Sequence, residues 1–147
     1  MFFRELDRQV IVADSPMRPQ DMADAAGRGV TLAVNNRPDG EAFDQIDAAA
    51  LGEAAKAAGL AYLHLPIEAE LSGEKVEALL DALNGAEGRV LLFCASGTRS
   101  AYLWALARAR EGALPEALVQ NARQAGYNLR PLLPWLKPRE DEAAPAS

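Results

Sequence analysis

Short apolar runs rich in branched residues alternate along this chain with alanine-rich stretches of helical period. Residues 9–13 (QVIVA), 30–35 (VTLAVN), 60–65 and 89–93 (RVLLF) read as strands. Residues 19–26, 47–58, 74–83, 100–110 and 115–124 read as helices. The punctuation agrees with this division. Pro19 stands near the first turn of the first helix and Gly27 near its end. Gly59 closes the second helix, Ser72 is placed to cap the third, and Gly126 ends the last. Pro66 stops the third strand, and the Pro and Gly of 36–41 (NRPDGE) mark a turn-rich loop. RVLLF is apolar after its first residue, the pattern of a strand covered on both faces, so it belongs at the centre of a sheet. Strands alternating with helices predict βαβ units. The expected fold is α/β, with a mostly parallel sheet of four or five strands flanked by helices. Ligands in such sheets bind at the carboxyl ends of the strands, which directs attention to two loops, 36–41 and 94–99.

Composition narrows the class. At 147 residues, half of them hydrophobic, the chain is expected to form one domain over residues 1–136. Residues 137–147 are dominated by Pro, Ala and charge and are expected to be a disordered tail. Fifteen Lys and Arg against twenty-one Asp and Glu give a net charge of -6, which disfavours nucleic acid as a partner. Membrane spans need roughly 18 apolar residues in a row, and the sequence has no such run. Charges in the first seven residues stand where a signal peptide is apolar, so a cytoplasmic location is expected. Cys94 is the single cysteine and His64 the single histidine. One cysteine forbids an internal disulfide, a CxxC redox pair and a multi-cysteine zinc site. An all-carboxylate magnesium or calcium site stays open, without EF-hand spacing to support it. No metal and no cofactor is expected.

Candidate chemistry centres on Cys94, between the central strand and a helix. The backbone amides of Ala95, Ser96, Gly97, Thr98 and Arg99 are expected to point inward at a helix N-terminus, whose partial positive charge favours an anion. Gly97 lets the backbone curl, Arg99 can fork two N–H groups onto an oxyanion, and Ser100 can donate to the thiolate. The arrangement describes a nucleophilic thiolate in an anion-binding cup. A lone cysteine is more commonly a small buried apolar residue. The C-x-x-G-x-R spacing, in its strand–loop–helix context, moves the reading to function.

This stretch resembles the signature loops of cysteine phosphatases and of rhodanese-type sulfurtransferases. Four motifs in order widen the resemblance: NNRPDGE at 35–41, AAKAAGLAYLHLPI at 54–67, CASGTRSAYLWA at 94–105 and AGYNL at 125–129. Together they resemble the bacterial DUF442 family, the phosphatase-like domain of beta-lactamase hydrolase-like proteins, over residues 9–130. The resemblance implies a fold like that of dual-specificity phosphatases with the cysteine loop as active site. It implies Cys94 as nucleophile and Arg99 as the anion-binding arginine.

Three features depart from phosphatase patterns. The loop reads C-x4-R, one residue shorter than the usual C-x5-R and like many rhodaneses. Phe93 precedes the cysteine where phosphatases usually carry His. The position of the leaving-group acid of dual-specificity enzymes, after Pro66, holds Ala69. Glu68 and Glu70 flank it, either as possible general acids or as a solvated face. Sulfur transfer from thiosulfate needs no such acid, because sulfite leaves readily. The leading expectation is therefore a sulfurtransferase that holds a Cys94 persulfide and passes sulfur to an external thiol or cyanide. The alternative is a phosphoester phosphatase acting through phosphocysteine. A second alternative is an idle anion-binding module.

The remaining candidates are two-sided. Arg37 and Asp39 form either a polar turn or part of the site, with Arg37 near the cup and Asp39 orienting Arg37 or Arg99. The family resemblance favours the second. His64 reads as a half-buried strand histidine rather than half of a Cys–His protease dyad. Tyr102 and Trp104 read as packing, and Tyr127 either lines the site edge or anchors the C-terminal segment. The apolar, proline-broken stretch 129–136 packs across the body or forms a homodimer patch.

Overall fold

Residues 2–136 are described in the computed structural model; the expected tail, 137–147, lies outside them. The branched aliphatic runs form a five-stranded sheet. Its strands are β1 (Phe3–Glu5), β2 (Val10–Ala13), β3 (Val30–Asn35), β4 (Ala61–His64) and β5 (Arg89–Phe93), in the order β1-β2-β5-β3-β4. β2, β5, β3 and β4 are parallel neighbours, and β5 is central as its apolar run requires. β1 is not visible in the sequence pattern. It pairs antiparallel with β2, Phe3 opposite Ala13. Three residues are too few to show a period, and only the neighbouring strand makes them one.

The helices are α1 (Asp21–Gly27), α2 (Ala48–Ala57), α3 (Gly73–Gly85), α4 (Thr98–Arg110), α5 (Pro115–Gln124) and α6 (Leu133–Leu136), the last entered through a 3-10 turn, Arg130–Leu132. Asp47 caps α2 by accepting from the Ala50 amide at 2.8 Å, and the Ser72 hydroxyl accepts from Lys75 N at the start of α3. α4 begins earlier than the spacing predicts, because Gly97 adopts a left-handed conformation (φ 94°) and turns the chain directly into the helix.

The sheet divides two cores by simple alternation. Val90 and Leu92 of β5 pack with Leu79 of α3 and Leu103 of α4. Leu91 and Phe93 point the other way, among Met22 of α1 and Leu51 of α2. The stretch 129–136 packs across the body through Leu129, Leu132 and Leu136, while Trp135 remains 69 % exposed. Trp104 is fully buried and Tyr102 packs against the same core. Among the described residues no helix is long and apolar enough to cross a membrane.

Candidate active site

The carboxyl ends of β3, β4 and β5 are laced together, and the site stands on them. The Asn36 amide donates to Phe93 O at 2.7 Å, Leu65 N to Asn35 O at 2.8 Å, and Ile67 N to Asn36 O at 2.9 Å. This brings three loops side by side: 94–97 after β5, 36–47 after β3, and 65–72 after β4.

Cys94 sits at the end of β5 and is 1 % exposed. Its sulfur accepts from the Gly97 amide at 3.2 Å. Burial pushes the thiol up. The amides of Ser100 and Gly97 and the charge of Arg99 outweigh it, and the thiol is held below its ordinary value. Ser100 is completely buried, and its hydroxyl has one proton for two acceptors in reach. It donates to Asn36 Oδ1 at 2.8 Å, leaving the Ser100 amide to serve the sulfur. Asn36 is oriented for this by its own donation from Nδ2 to Leu65 O at 2.9 Å. Ala95 is half-buried, Gly97 is buried, and Ser96 and Thr98 are exposed at the mouth of the loop.

Arg99 lies in the first turn of α4. Its guanidinium donates from Nη1 and Nη2 to the two carboxylate oxygens of Glu41, at 2.6 and 2.9 Å. Nη1 also donates to Ile67 O at 2.9 Å. Arg37 Nε reaches the same Glu41 carboxylate at 3.1 Å. The hydrogen bond from Arg99 comes first in holding the Glu41 carboxyl below the usual range, against a smaller cost of burial. Orienting the arginines is thus the work of Glu41, whereas the sequence reading expects it of Asp39. Asp39 instead accepts from the Ala48 amide at 2.7 Å, at the N-terminus of α2. Its geometry is that of a turn residue. Gln45 stitches the same loop, donating to Pro38 O at 2.8 Å and accepting from Glu41 N at 3.0 Å. Glu41 closes the NNRPDGE motif without marking itself as a site residue, and Gln45 lies beyond it. The one signal for Glu41 was its spacing four residues after Arg37, which is ambiguous outside a helix.

A cavity of about 440 Å³ opens at Cys94. Its walls come from the loop after β2, with Met17 and Arg18, and from the loop after β3, with Arg37 and Asp44; Phe93 also lines it. Glu68 and Glu70 are exposed and do not line this cavity. They follow Ile67, whose carbonyl meets Arg99. A larger groove, about 820 Å³, lies between α3, α4 and α6 and contains none of the cysteine loop. His64 is half-buried, and its Nε2 donates to Arg37 O at 2.9 Å. It lies on β4, with β3 between it and β5. Two strand spacings separate it from the cysteine strand, roughly 10 Å, which leaves no room for a Cys–His dyad. Tyr127 does reach the loop, donating to Ser96 O at 2.8 Å.

A sulfur that accepts from loop amides, beside a guanidinium fixed by a carboxylate, is an arrangement able to take a tetrahedral anion onto sulfur. Comparisons agree with the geometry. Residues 3–111 match the family described as beta-lactamase hydrolase-like protein, phosphatase-like domain. A beta-lactamase hydrolase-like protein of Xylella fastidiosa is 32 % identical over 135 residues, 90 % of this chain. The chain spans 31 % of that relative's length. Among solved structures, a putative phosphatase from Neisseria meningitidis is 29 % identical with a TM-score of 0.83, covering 93 % of this chain and 97 % of that one. TpbA of P. aeruginosa in complex with pTyr has a TM-score of 0.66 at 20 % identity, covering 95 % and 85 %. The fold is that of the cysteine phosphatases. The chain belongs to the family of phosphatase-like domains of beta-lactamase hydrolase-like proteins.

Proposed function

We propose that the protein hydrolyses phosphate monoesters through a phosphocysteine at Cys94. The observation that carries this is the Cys94 sulfur at 3.2 Å from the Gly97 amide, with its thiol pKa lowered, in a chain of a phosphatase-like family. The thiolate attacks phosphorus, and the P–O bond to the alcohol breaks. Water then attacks the phosphocysteine, releasing phosphate and the thiolate. Arg99 and the amides of the loop hold the phosphoryl oxygens throughout. Glu41 keeps the guanidinium in place between these steps. The cavity meets the cysteine loop at Cys94 and does not include Arg99 or residues 95–98, so it is the leaving group that it would take; with Met17 and Phe93 in its walls it suits an aryl ester such as phosphotyrosine. Asp44 is the carboxylate that lines this cavity with Cys94, and we assign it the protonation of the leaving alcohol in preference to Glu68 and Glu70. A lone nucleophilic thiol persists in a reducing compartment, which fits the cytoplasm.

The shorter C-x4-R loop favours a second reading, sulfur transfer through a Cys94 persulfide to an external thiol. One experiment separates the two. The wild type and Cys94→Ser are incubated with p-nitrophenyl phosphate, and in parallel with thiosulfate followed by intact-mass measurement. Release of phosphate by the wild type alone supports the phosphatase. Gain of one sulfur atom on Cys94 without phosphate release replaces it with sulfur transfer. With an alkyl phosphate, whose leaving group needs a proton, Asp44→Asn is expected to slow turnover while Glu68→Gln and Glu70→Gln do not.

A further inference from the structure

The peptide unit between Ser96 and Gly97 is held at both ends. Its carbonyl oxygen, on Ser96, accepts from the Tyr127 hydroxyl at 2.8 Å. Its N–H, on Gly97, donates to the Cys94 sulfur at 3.2 Å. A trans peptide is planar, and its C=O and N–H point in opposite directions, so fixing one aims the other. We propose that Tyr127 is a positioning residue of the cysteine loop: its hydroxyl clamps the Ser96 carbonyl and so keeps the Gly97 amide facing the sulfur.

The loop needs such a clamp. Glycine adopts either hand of backbone with little penalty, and Gly97 stands at φ 94°. Ser96 is exposed, and its side chain bonds only to its neighbour Thr98. The backbone freedom of Gly97 therefore does not by itself fix the direction of the 96–97 peptide. A turned peptide would present a carbonyl oxygen to the thiolate, replacing a donor by a repulsive dipole. The hydroxyl stands close against this peptide: a Cβ on Gly97 would lie 2.1 Å from the Tyr127 oxygen and 2.8 Å from the carbonyl oxygen of Ala13.

The way Tyr127 arrives explains its position. Gly126, with φ 97°, turns the chain just beyond α5, and Tyr127 N returns to Ala122 O at 2.8 Å. Leu129, fully buried, fixes the chain two residues later. The phenol remains a donor at working pH, since burial, with the charges of Asp14 and Cys94, pushes its pKa up to about 12.

Tyr127→Phe tests the inference. It removes one oxygen and keeps the ring, so the packing that folds the segment is retained. The thiol pKa of Cys94 is read from the pH dependence of iodoacetamide alkylation, beside the thermal midpoint. Loss of the clamp is expected to raise that pKa by about half a unit or more, slowing alkylation at pH 6 about threefold. An unchanged thiol pKa, with or without a lower thermal midpoint, would overturn the inference and leave Tyr127 a structural anchor. The inference rests on Cys94 being the nucleophile of the proposed reaction, yet the titration needs no turnover. A wild type without phosphatase activity whose thiol still shifts in Tyr127→Phe would sink the proposed function and leave the clamp standing. An active wild type whose Tyr127→Phe variant titrates normally would do the reverse.

Discussion

Arg99 favours the thiolate form of Cys94, and Glu41 decides where the guanidinium points. The thiol of Cys94 lies below its ordinary value although burial opposes this, because the donors of Ser100 and Gly97 and the charge of Arg99 favour the anion. The acid limb of kcat/KM is therefore expected below the ordinary thiol pKa of about 8.5. Activity rises with pH as the thiol ionises, and a limb at or above that value would contradict the assignment. Glu41 grips Arg99 with two charge-assisted bonds, at 2.6 and 2.9 Å. Glu41→Gln removes the charge and one acceptor while Arg37 and Ile67 O remain. We expect kcat/KM for an aryl phosphate to fall about tenfold, the order of one lost charge-assisted contact. Thermal stability should change little, since the pair is solvent-accessible. An unaltered kcat/KM would show that the helix and the Ile67 carbonyl position the guanidinium without the Glu41 charge.

At the scale of elements, the join between β5 and α4 is where local sequence and chemistry meet. A single left-handed residue, Gly97, ends the loop and begins the helix. Gly97→Ala would meet a disfavoured φ of 94° and a backbone oxygen at 2.8 Å. Its expected cost is about 2 kcal/mol or more, measured by denaturant midpoint. Protection of Cys94 from alkylation by inorganic phosphate should disappear in the same variant. Loss of stability with protection intact would mean the cup tolerates a reshaped backbone. Most elements were legible beforehand. β3, β5 and α5 coincide with the stretches that predict them, and Ser72 caps α3 as its position predicts. β1 was not, because a strand of three residues is made by pairing rather than by period. Site residues divide in the same way. Cys94, Gly97 and Arg99 share one continuous motif, whereas Glu41 and Asn36 join them only through the register of β3 beside β5.

Across the whole molecule, Asp7 ties the first turn of the chain to the helix that carries Arg99. One carboxylate oxygen accepts from Gln9 N and Val10 N, each at 2.8 Å. The other accepts from Trp104 Nε1 at 2.7 Å and Arg108 Nε at 2.9 Å. Burial raises its pKa, but Arg108 and Trp104 bring the balance down. A carboxylate depressed on folding stabilises above its unfolded pKa, and that contribution fades as pH falls through the folded value. Asp7→Ala is expected to cost about 3 kcal/mol at pH 7, since it orphans several partly buried donors. The deficit should start to shrink below the ordinary carboxylate pKa of about 4 and go on shrinking as pH falls through the lowered folded value. A deficit constant across pH would mean that packing, not charge, makes the link. The sequence by itself determined the α/β class, the central strand and the cysteine loop, because periodicity, caps and a contiguous motif are local properties of the chain. Only the tertiary structure decided that Glu41 rather than Asp39 holds the arginines, that Ser100 donates to Asn36, and that Tyr127 reaches the Ser96 carbonyl. These contacts span tens of residues, and a hydrogen bond forms only where packing has already brought donor and acceptor within about 3 Å.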